Sequence, residues 1–330
     1  LGMLQDNRTR TAGIGADVLV LPPGSSFIAG LTGAPMPIKI GGVLAKLPHV
    51  TSVAPVITQL TSAGTLEIIA GIDLPSYESM SAGFHYLEGG PFQGPNDVLV
   101  DDLFAKSKHA KVGDTIEILN NKFRISGIVE RGKGGRKFVP LNTLQDLIGA
   151  KDKATVFYLK LDDPANADAV VDEIKNVPGM ERYVANSMAS YLAMMTTSNY
   201  PGLSTFIHVV VGISVVIGFI VIFQAMYTAV MERTREIGIL KSMGASKLYI
   251  VNVVLRETVL LALGGIVLGI VVSLAARAAL AHKFPLLQVV VAGSWIVRAT
   301  LIAIAGAIAG ALYPAFKAAQ KDPIDALAYE

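Results

Sequence analysis

The chain has 330 residues, 52% of them hydrophobic and 16% charged, with a formal net charge of +2. That length is enough for two compact units, and so balanced a charge makes no case for nucleic acid as a partner. The absence of cysteine excludes a disulfide framework and a thiolate metal site. Charge is unevenly spread: residues 1–200 carry 18 Lys and Arg against 20 Asp and Glu, whereas residues 201–330 carry 10 against 6. The first part has the composition of a soluble domain and the second that of a membrane unit.

In chain order, residues 14–200 read as mixed α and β. The stretch 16–22 (ADVLVLP) predicts a short strand closed by Pro22 and Pro23. Residues 38–57 predict a helix, a break at Pro48, then a strand. Residues 97–130 predict a strand, a short helix and two alternating strands joined by a tight turn at Asn120-Asn121. Residues 154–161 predict another strand. Residues 163–177 predict a helix with Asp163 as N-cap and Pro164 at its first position. The stretch from Ser187 to Leu203 is expected to lead as a helix into the membrane.

Catalytic chemistry is hard to find in this part. The histidines (His49, His85, His109, His208, His282) are scattered without ligand spacing. Residues 131–137 (RGKGGRK) are basic and Gly-rich but lack the Lys-Ser/Thr ending of a phosphate loop, so a flexible surface hairpin is expected. Asp101-Asp102 and Asp162-Asp163 are adjacent in sequence, which suits turns and caps better than a paired-carboxylate site.

Three uncharged runs follow: Pro201 to Met231, Thr258 to Ala276 and Ala299 to Phe316. Each is near or above the roughly 20 residues that cross a bilayer, and Trp295 and Tyr313 stand near the ends of the third as interfacial anchors. The expected spans are 203–231, 250–280 and 295–316. Within them, Gly265 and Gly269, and Gly306 and Gly310, have the Gly-x-x-x-Gly spacing that lets helices approach closely in lipid; glycine is also simply common in membrane helices. His208 lies near the outer end of the first span, where a snorkelling or capped histidine competes with a functional one.

Arg233, Arg235, Lys241, Lys247, Lys317 and Lys321 flank one side of these spans, and Arg277, Lys283 and Arg298 the other. The positive-inside rule then puts 232–247 and the C-terminus in the cytoplasm and residues 1–200 outside. Export of that domain needs a signal, and a further transmembrane helix upstream of Leu1 is the expectation, four in all.

Between the first two spans lies ERTREIGILKSMGAS, residues 232–246. It predicts a short helix over 232–243 with i,i+3 pairs Glu232–Arg235 and Arg233–Glu236. Ile237, Leu240 and Met243 form its apolar stripe, and Gly244 its left-handed stop. Such a segment is longer and more amphipathic than a connector needs, as if made to dock against something cytoplasmic. Arg256 and Glu257, just inside the next span, are either a relay to this segment or an interfacial pair with a snorkelling arginine.

These residues carry a resemblance. Glu232, Arg233, Glu236, Ile237, Gly238, Leu240, Lys241, Gly244, Ala245 and Ser246, with Tyr313, Pro314, Ala315, Ala318, Asp322, Pro323, Ala326 and Leu327 at the end of the chain, resemble the MacB/FtsX-type permeases of ABC transporters. GADVLVLPPGS, AKVGDTIEI and FRISGIVERG are similar in outline to that family's periplasmic domain. The resemblance implies a bacterial inner-membrane protein: an α-helical transmembrane bundle, residues 201–330, with an α+β extracytoplasmic domain, residues 1–200, holding a β-rich insert at about 71–150. It implies that 232–246 is a coupling helix seated on a cytoplasmic ATPase, with Glu232, Arg233, Arg235, Glu236, Ile237, Gly238, Leu240, Lys241, Met243 and Gly244 at that joint. ATP and Mg would be bound by the partner, with no cofactor, metal or catalytic residue in this chain. A second permease copy or paralogue, membrane lipids, and a periplasmic adaptor or cargo complete the implied partners. The implied role is to couple ATP hydrolysis to motion of the outer domain, exporting or extracting a hydrophobic, lipidated or peptide substrate. The alternatives are control of a cell-wall hydrolase, or a membrane-anchored sensor or scaffold with no ATPase.

Overall fold

In the computed structural model, residues 2–25, 33–61, 67–81, 83–196, 201–283, 291 and 293–320 are described. They fall into two compact units, one within residues 1–200 and one from residue 201 onward.

The first unit opens with α1 (Gly2–Ala12), followed by β1 (Val18–Leu21), β2 (Met36–Pro37), α2 (Ile40–Leu44), β3 (Val50–Thr61) and β4 (Glu67–Ile72). Then come α3 (Leu74–Glu78), β5 (Tyr86–Gly89), β6 (Asp97–Asp101), α4 (Asp102–Lys108), β7 (Thr115–Ile118), β8 (Asn121–Val129), β9 (Lys137–Pro140) and α5 (Leu141–Leu147). It closes with β10 (Lys153–Ala154), β11 (Val156–Leu161), α6 (Ala167–Asn176), β12 (Val184–Ser187) and α7 (Met188–Met194).

One sheet runs through the unit in the order β12-β1-β11-β3-β4-β9-β6-β8-β5, with β7 paired to β8. The pairs β4–β9 and β6–β8 are parallel, the rest antiparallel. Residues 71–150 thus supply β5 to β9 as a continuation of the same sheet. Strand alternation splits the core between two faces. Leu19, Leu99 and Phe138 turn toward α3 and α7, which add Tyr77 and Met188. Val18 and Val20 turn to the other face, beneath Val170 and Ile174 of α6, as do Val98, Val100 and Val139, beneath Phe104 of α4 and Leu144 of α5. Burial on both faces explains why β1 and β4 read as near-continuous apolar runs.

Four expectations are revised. The β7–β8 turn uses Leu119 (φ 49) and Asn120 (φ 61), so Asn121 already pairs with Ile118; a two-residue turn with both φ positive matches the strand twist. The stretch 131–137 is neither a hairpin nor loose. Tyr77 Oη donates to the Lys133 carbonyl (2.8 Å), the Gly134 N–H donates to the Arg10 carbonyl (2.8 Å), and Arg131 reaches Asp102 (3.0 Å). The helix begun at Asp163 starts as a 3-10 turn, Pro164–Asn166, before α6, with the Asp163 side chain accepting from the Ala165 N–H. The stretch after Ser187 is a separate short helix, α7, ended at Met195.

The second unit holds α8 (Pro201–Glu232), α9 (Thr234–Ser242), α10 (Lys247–Lys283) and α11 (Gly293–Gln320). Among the described residues, three helices are long and apolar enough to cross a membrane: Ser204–Glu232, Lys247–Lys283 and Gly293–Gln320. Both α8 and α10 pack on α11. Their buried contact gathers at one end, where Met226 and Val230 of α8, Ile250, Val251 and Val254 of α10, and Ala311, Ala315 and Ala318 of α11 meet. Farther along, the helices part around an apolar groove of about 840 Å³ lined by Gly218, Gly265, Gly269 and Gly306.

Candidate functional site

The sequence departs most from a simple connector between α8 and α10, and the local chemistry there is specific. Arg233 (φ −97, ψ 18) ends α8. The Thr234 hydroxyl turns back to the carbonyls of Met231 (2.8 Å) and Val230 (3.3 Å), capping the broken helix. α9 then runs for 9 residues. At its far end Gly244 (φ +97) takes the left-handed conformation. The Gly244 N–H donates to Lys241 and the Ala245 N–H to Leu240, both at 3.0 Å. This is the paired pattern of a Schellman stop, which favours glycine. The Ser246 hydroxyl then accepts from the Tyr249 N–H at 3.2 Å and begins α10. Gly-Ala-Ser therefore stops one helix and starts the next within three residues.

The inner face of α9 is made by Thr234 and Gly238, both buried, with Ile237 packed on the cluster of α8, α10 and α11. Small side chains here let α9 lie close to the bundle. Lys241 extends along this face, and its Nζ donates to the Ala319 carbonyl of α11 at 3.1 Å. Arg235 and Glu236 are exposed. The expected stripe of Ile237, Leu240 and Met243 is not one face: Ile237 points inward, Leu240 is half-buried and Met243 is 71% exposed. The outward apolar surface is instead Ile239 and Met243, joined across the Gly244 corner by Leu248 and Tyr249, two residues sequence reasoning did not single out. Their signal was present: a Leu-Tyr pair opens α10 on the polar side of the span.

The expected i,i+3 pairs give way to a longer one. Arg233 Nη1 donates to both carboxylate oxygens of Glu257 on α10, at 2.8 and 3.0 Å, and no Glu232–Arg235 ion pair occurs among the described residues. Glu257 is thus tied to the α8–α9 junction rather than to its neighbour Arg256, which is exposed. Of the four glycines, Gly310 lies against α8: a Cβ there would stand 3.3 Å from Ile222 and 3.4 Å from the Phe219 carbonyl. At Gly265, Gly269 and Gly306 it would meet nothing within 4 Å. Asp322, Pro323, Ala326 and Leu327 lie outside the described residues, as does Lys321.

In the first unit the acidic pairs are structural. The Asp101 side chain accepts from the Phe104 N–H at 2.6 Å and caps α4. Burial pushes its carboxyl up to about 6, against the opposing pull of that N–H and of Arg136. Its second oxygen has no hydrogen-bond partner and stands 3.7 Å from Arg136. Arg136 also bonds Asp6 of α1 at 2.9 Å, and Asp6 bonds Arg10. Sequence reasoning missed α1 and this network; the i,i+4 spacing of Asp6 and Arg10 was the available signal. Asp162 is held by the exposed His49 at 2.9 Å, which keeps its carboxyl low and the imidazole pKa high. No group of three or more metal-ligating side chains occurs among the described residues.

Comparison with known proteins covers both units. Residues 2–177 match the family model of the MacB-like periplasmic core domain, and residues 208–323 that of the FtsX-like permease C-terminal region. The chain is 32% identical over 255 residues to the uncharacterized ABC transporter permease YknZ of Bacillus subtilis, covering 70% of this chain and 60% of that one. It is 28% identical over 246 residues to the macrolide export ATP-binding/permease protein MacB of Bdellovibrio bacteriovorus, covering 69% of this chain and 37% of the relative. It thus spans 60% or less of the length of these two relatives. Among solved structures, the periplasmic region of MacB from Actinobacillus actinomycetemcomitans aligns with a TM-score of 0.42 at 18% identity, over 54% of this chain and 92% of that one.

Proposed function

The chain belongs to the MacB/FtsX-type permeases of ABC transporters, and from that premise we propose that it couples ATP hydrolysis in a cytoplasmic partner to motion of its extracytoplasmic domain. ATP and Mg are bound by the partner. The permease works beside a second copy or a paralogue, and the outer domain handles a hydrophobic, lipidated or peptide substrate, alone or with a periplasmic adaptor.

The observation that carries this reading is the build of α9. Its C-terminal end is fixed by the Gly244 stop, its inner face is packed on α8 and α11, and its outer face presents Ile239 and Met243 beside Arg235 and Glu236. A scaffold has no need of such a segment. An ATPase that pushes on this outer face moves α8 and α11 through the contacts of the inner face, and α10 through the Arg233–Glu257 bond.

The test is coexpression of the permease with ABC ATPases encoded near it. The wild-type pair is expected to copurify and hydrolyse ATP. Ile239→Asp and Met243→Asp, which place a charge on the outer face without touching the core, are expected to weaken the complex about tenfold or more, as loss of a buried apolar anchor does. The Arg235→Glu, Glu236→Arg double reversal tests the charged rim. If the variants bind as the wild type does, α9 is not the docking element.

A further inference from the structure

We infer that α1 is a brace that sets the angle of one half of the outer domain against the other. Strands β5 to β8, with α4, form one half, joined to the rest by two passages of chain and one seam of the sheet. One passage lies between β4 and β5 and carries α3; the other, residues 130–136, lies between β8 and β9. The seam is the β6–β9 pair, registered at Leu99 with Phe138 and Val100 with Lys137, a shorter ladder than β4–β9 or β6–β8 on either side of it. A short ladder beside two chain passages is a place to bend, because a few residues between elements absorb the change.

The passages are tied to each other, and both are tied to α1. Between them, Tyr77 Oη donates to the Lys133 carbonyl and Lys133 Nζ to Ser81 Oγ, each at 2.8 Å, and the Glu130 N–H donates to the His85 carbonyl at 2.9 Å. From α1, Asp6 accepts from Arg136 at 2.9 Å and from Arg10 at 3.0 Å, and Arg10 Nη1 donates to the Gly134 carbonyl at 3.3 Å. The side chains of Asp6, Arg10 and Arg136 are 11, 18 and 15% exposed, so little water is at hand to replace a lost partner. Just past α1 the chain meets both passages backbone to backbone. A Cβ on Gly13 would run into the Gly132 carbonyl oxygen, and one on Gly15 would stand 2.6 Å from that of Met80. Glycine alone allows so close an approach.

α1 also packs on α7, and in the chain only residues 195–200 separate α7 from α8. It therefore stands between the element that leads to the first span and the neck of the distal half. A shift of α1 re-aims β5 to β8, and with them the exposed Leu87 and Val112. That use rests on the proposed coupling to an ATPase. The brace itself needs no ATPase, so its failure is distinguishable from failure of α9 as a docking element.

The test is a distance across the seam, measured in the full chain in detergent without nucleotide or partner. Spin labels at Lys122→Cys, at the start of β8, and Asp172→Cys, on α6, use two exposed positions in a chain with no other cysteine. Double electron–electron resonance is expected to give one narrow distance distribution in this background. Asp6→Asn, which weakens the ionic ties, and Gly13→Ala, which forces α1 off Gly132, are each expected to shift or broaden it by a few ångströms with an unchanged circular dichroism spectrum. Leu44→Ala, which opens a cavity under α2 in the other half, should lower the melting temperature and leave the distance as it is. An unchanged distribution in both α1 variants would overturn the proposal. So would an equal shift in Leu44→Ala, or loss of the folded spectrum in both α1 variants, which would make these contacts a foundation of the fold and not a brace.

Discussion

Arg233 and Glu257 lie 24 residues apart yet share a two-pronged bond. With side chains 54% and 38% exposed, such a pair contributes only about 0–1 kcal/mol to stability, so its value is geometric. It fixes the break between α8 and α9 to the first turns of α10. Glu257→Gln is expected to leave the melting temperature nearly unchanged while reducing ATP-driven coupling severalfold, and the Arg233→Glu, Glu257→Arg exchange should restore it. ATPase stimulation in the reconstituted complex reads both; equal stimulation in wild type and Glu257→Gln would remove the pair from the transmission path. Asp101 makes a prediction of the opposite kind, in stability rather than coupling. Its folded-state pKa is raised to about 6 from 3.8 by burial, so the folded protein keeps this proton to higher pH than the unfolded one. The stability contributed by the neutral acid is complete below the ordinary value and is lost as pH rises through about 6, a change of at most roughly 3 kcal/mol. Asp101→Asn, which can still cap α4, should flatten urea unfolding of the outer domain between pH 4 and 6.5 and stabilise it at neutral pH. An unaltered pH slope would show that Asp101 is ionised throughout.

Among the helices, the four membrane glycines differ in what surrounds them, and this sets what substitution should do. Gly310 faces the α8 backbone at contact distance, so Gly310→Leu must push α11 from α8, at a cost of about 1–3 kcal/mol or more. Gly265→Leu and Gly269→Leu project into open groove and should leave the thermal stability of this chain unchanged. Scanning fluorimetry in detergent separates the cases; a fall for Gly265→Leu equal to that for Gly310→Leu would mean that the groove is closed in solution. The spacing of these glycines was plain in the sequence, but their partners were not. Spacing says only that close approach is sterically allowed, while the rotation of each helix about its axis decides which glycine is used. The same limit applies to α9. Its C-terminal end and the start of α10 were legible because Gly244 and Ser246 have local, nearly obligatory geometry, but its start was not: the helix expected from Glu232 begins at Thr234, after a break at Arg233. Its inner face was not: the apolar side chains Ile237, Leu240 and Met243 pointed to one stripe, whereas contact is made through the small residues Thr234 and Gly238. Closeness to the bundle there depends on the absence of side chain, which a search for hydrophobic periodicity passes over.

At the scale of the whole molecule, the division between an apolar C-terminal third and an ordinary N-terminal part follows from composition, because the bilayer imposes a length and a hydrophobicity on each span. The strand order of the outer sheet was illegible, since the parallel pairings β4–β9 and β6–β8 join strands distant in sequence. Topology across the membrane is the property on which the function turns, and the chain is suited to measuring it because it has no cysteine. A single cysteine can replace Leu60 in the outer domain, 55% exposed, or Met243 on α9, 71% exposed. One membrane crossing, α8, separates these positions in the chain, and the excess of Lys and Arg beside α9 assigns it to the cytoplasm. A membrane-impermeant maleimide is therefore expected to label Leu60→Cys but not Met243→Cys in spheroplasts, and both after permeabilisation. Adding the partner ATPase should then protect Met243→Cys and leave Leu60→Cys reactive. Labelling of Met243→Cys from outside would reverse the orientation and remove the basis for a cytoplasmic motor. Labelling only from inside, with no protection by any ATPase, would keep the topology and leave α9 without its partner.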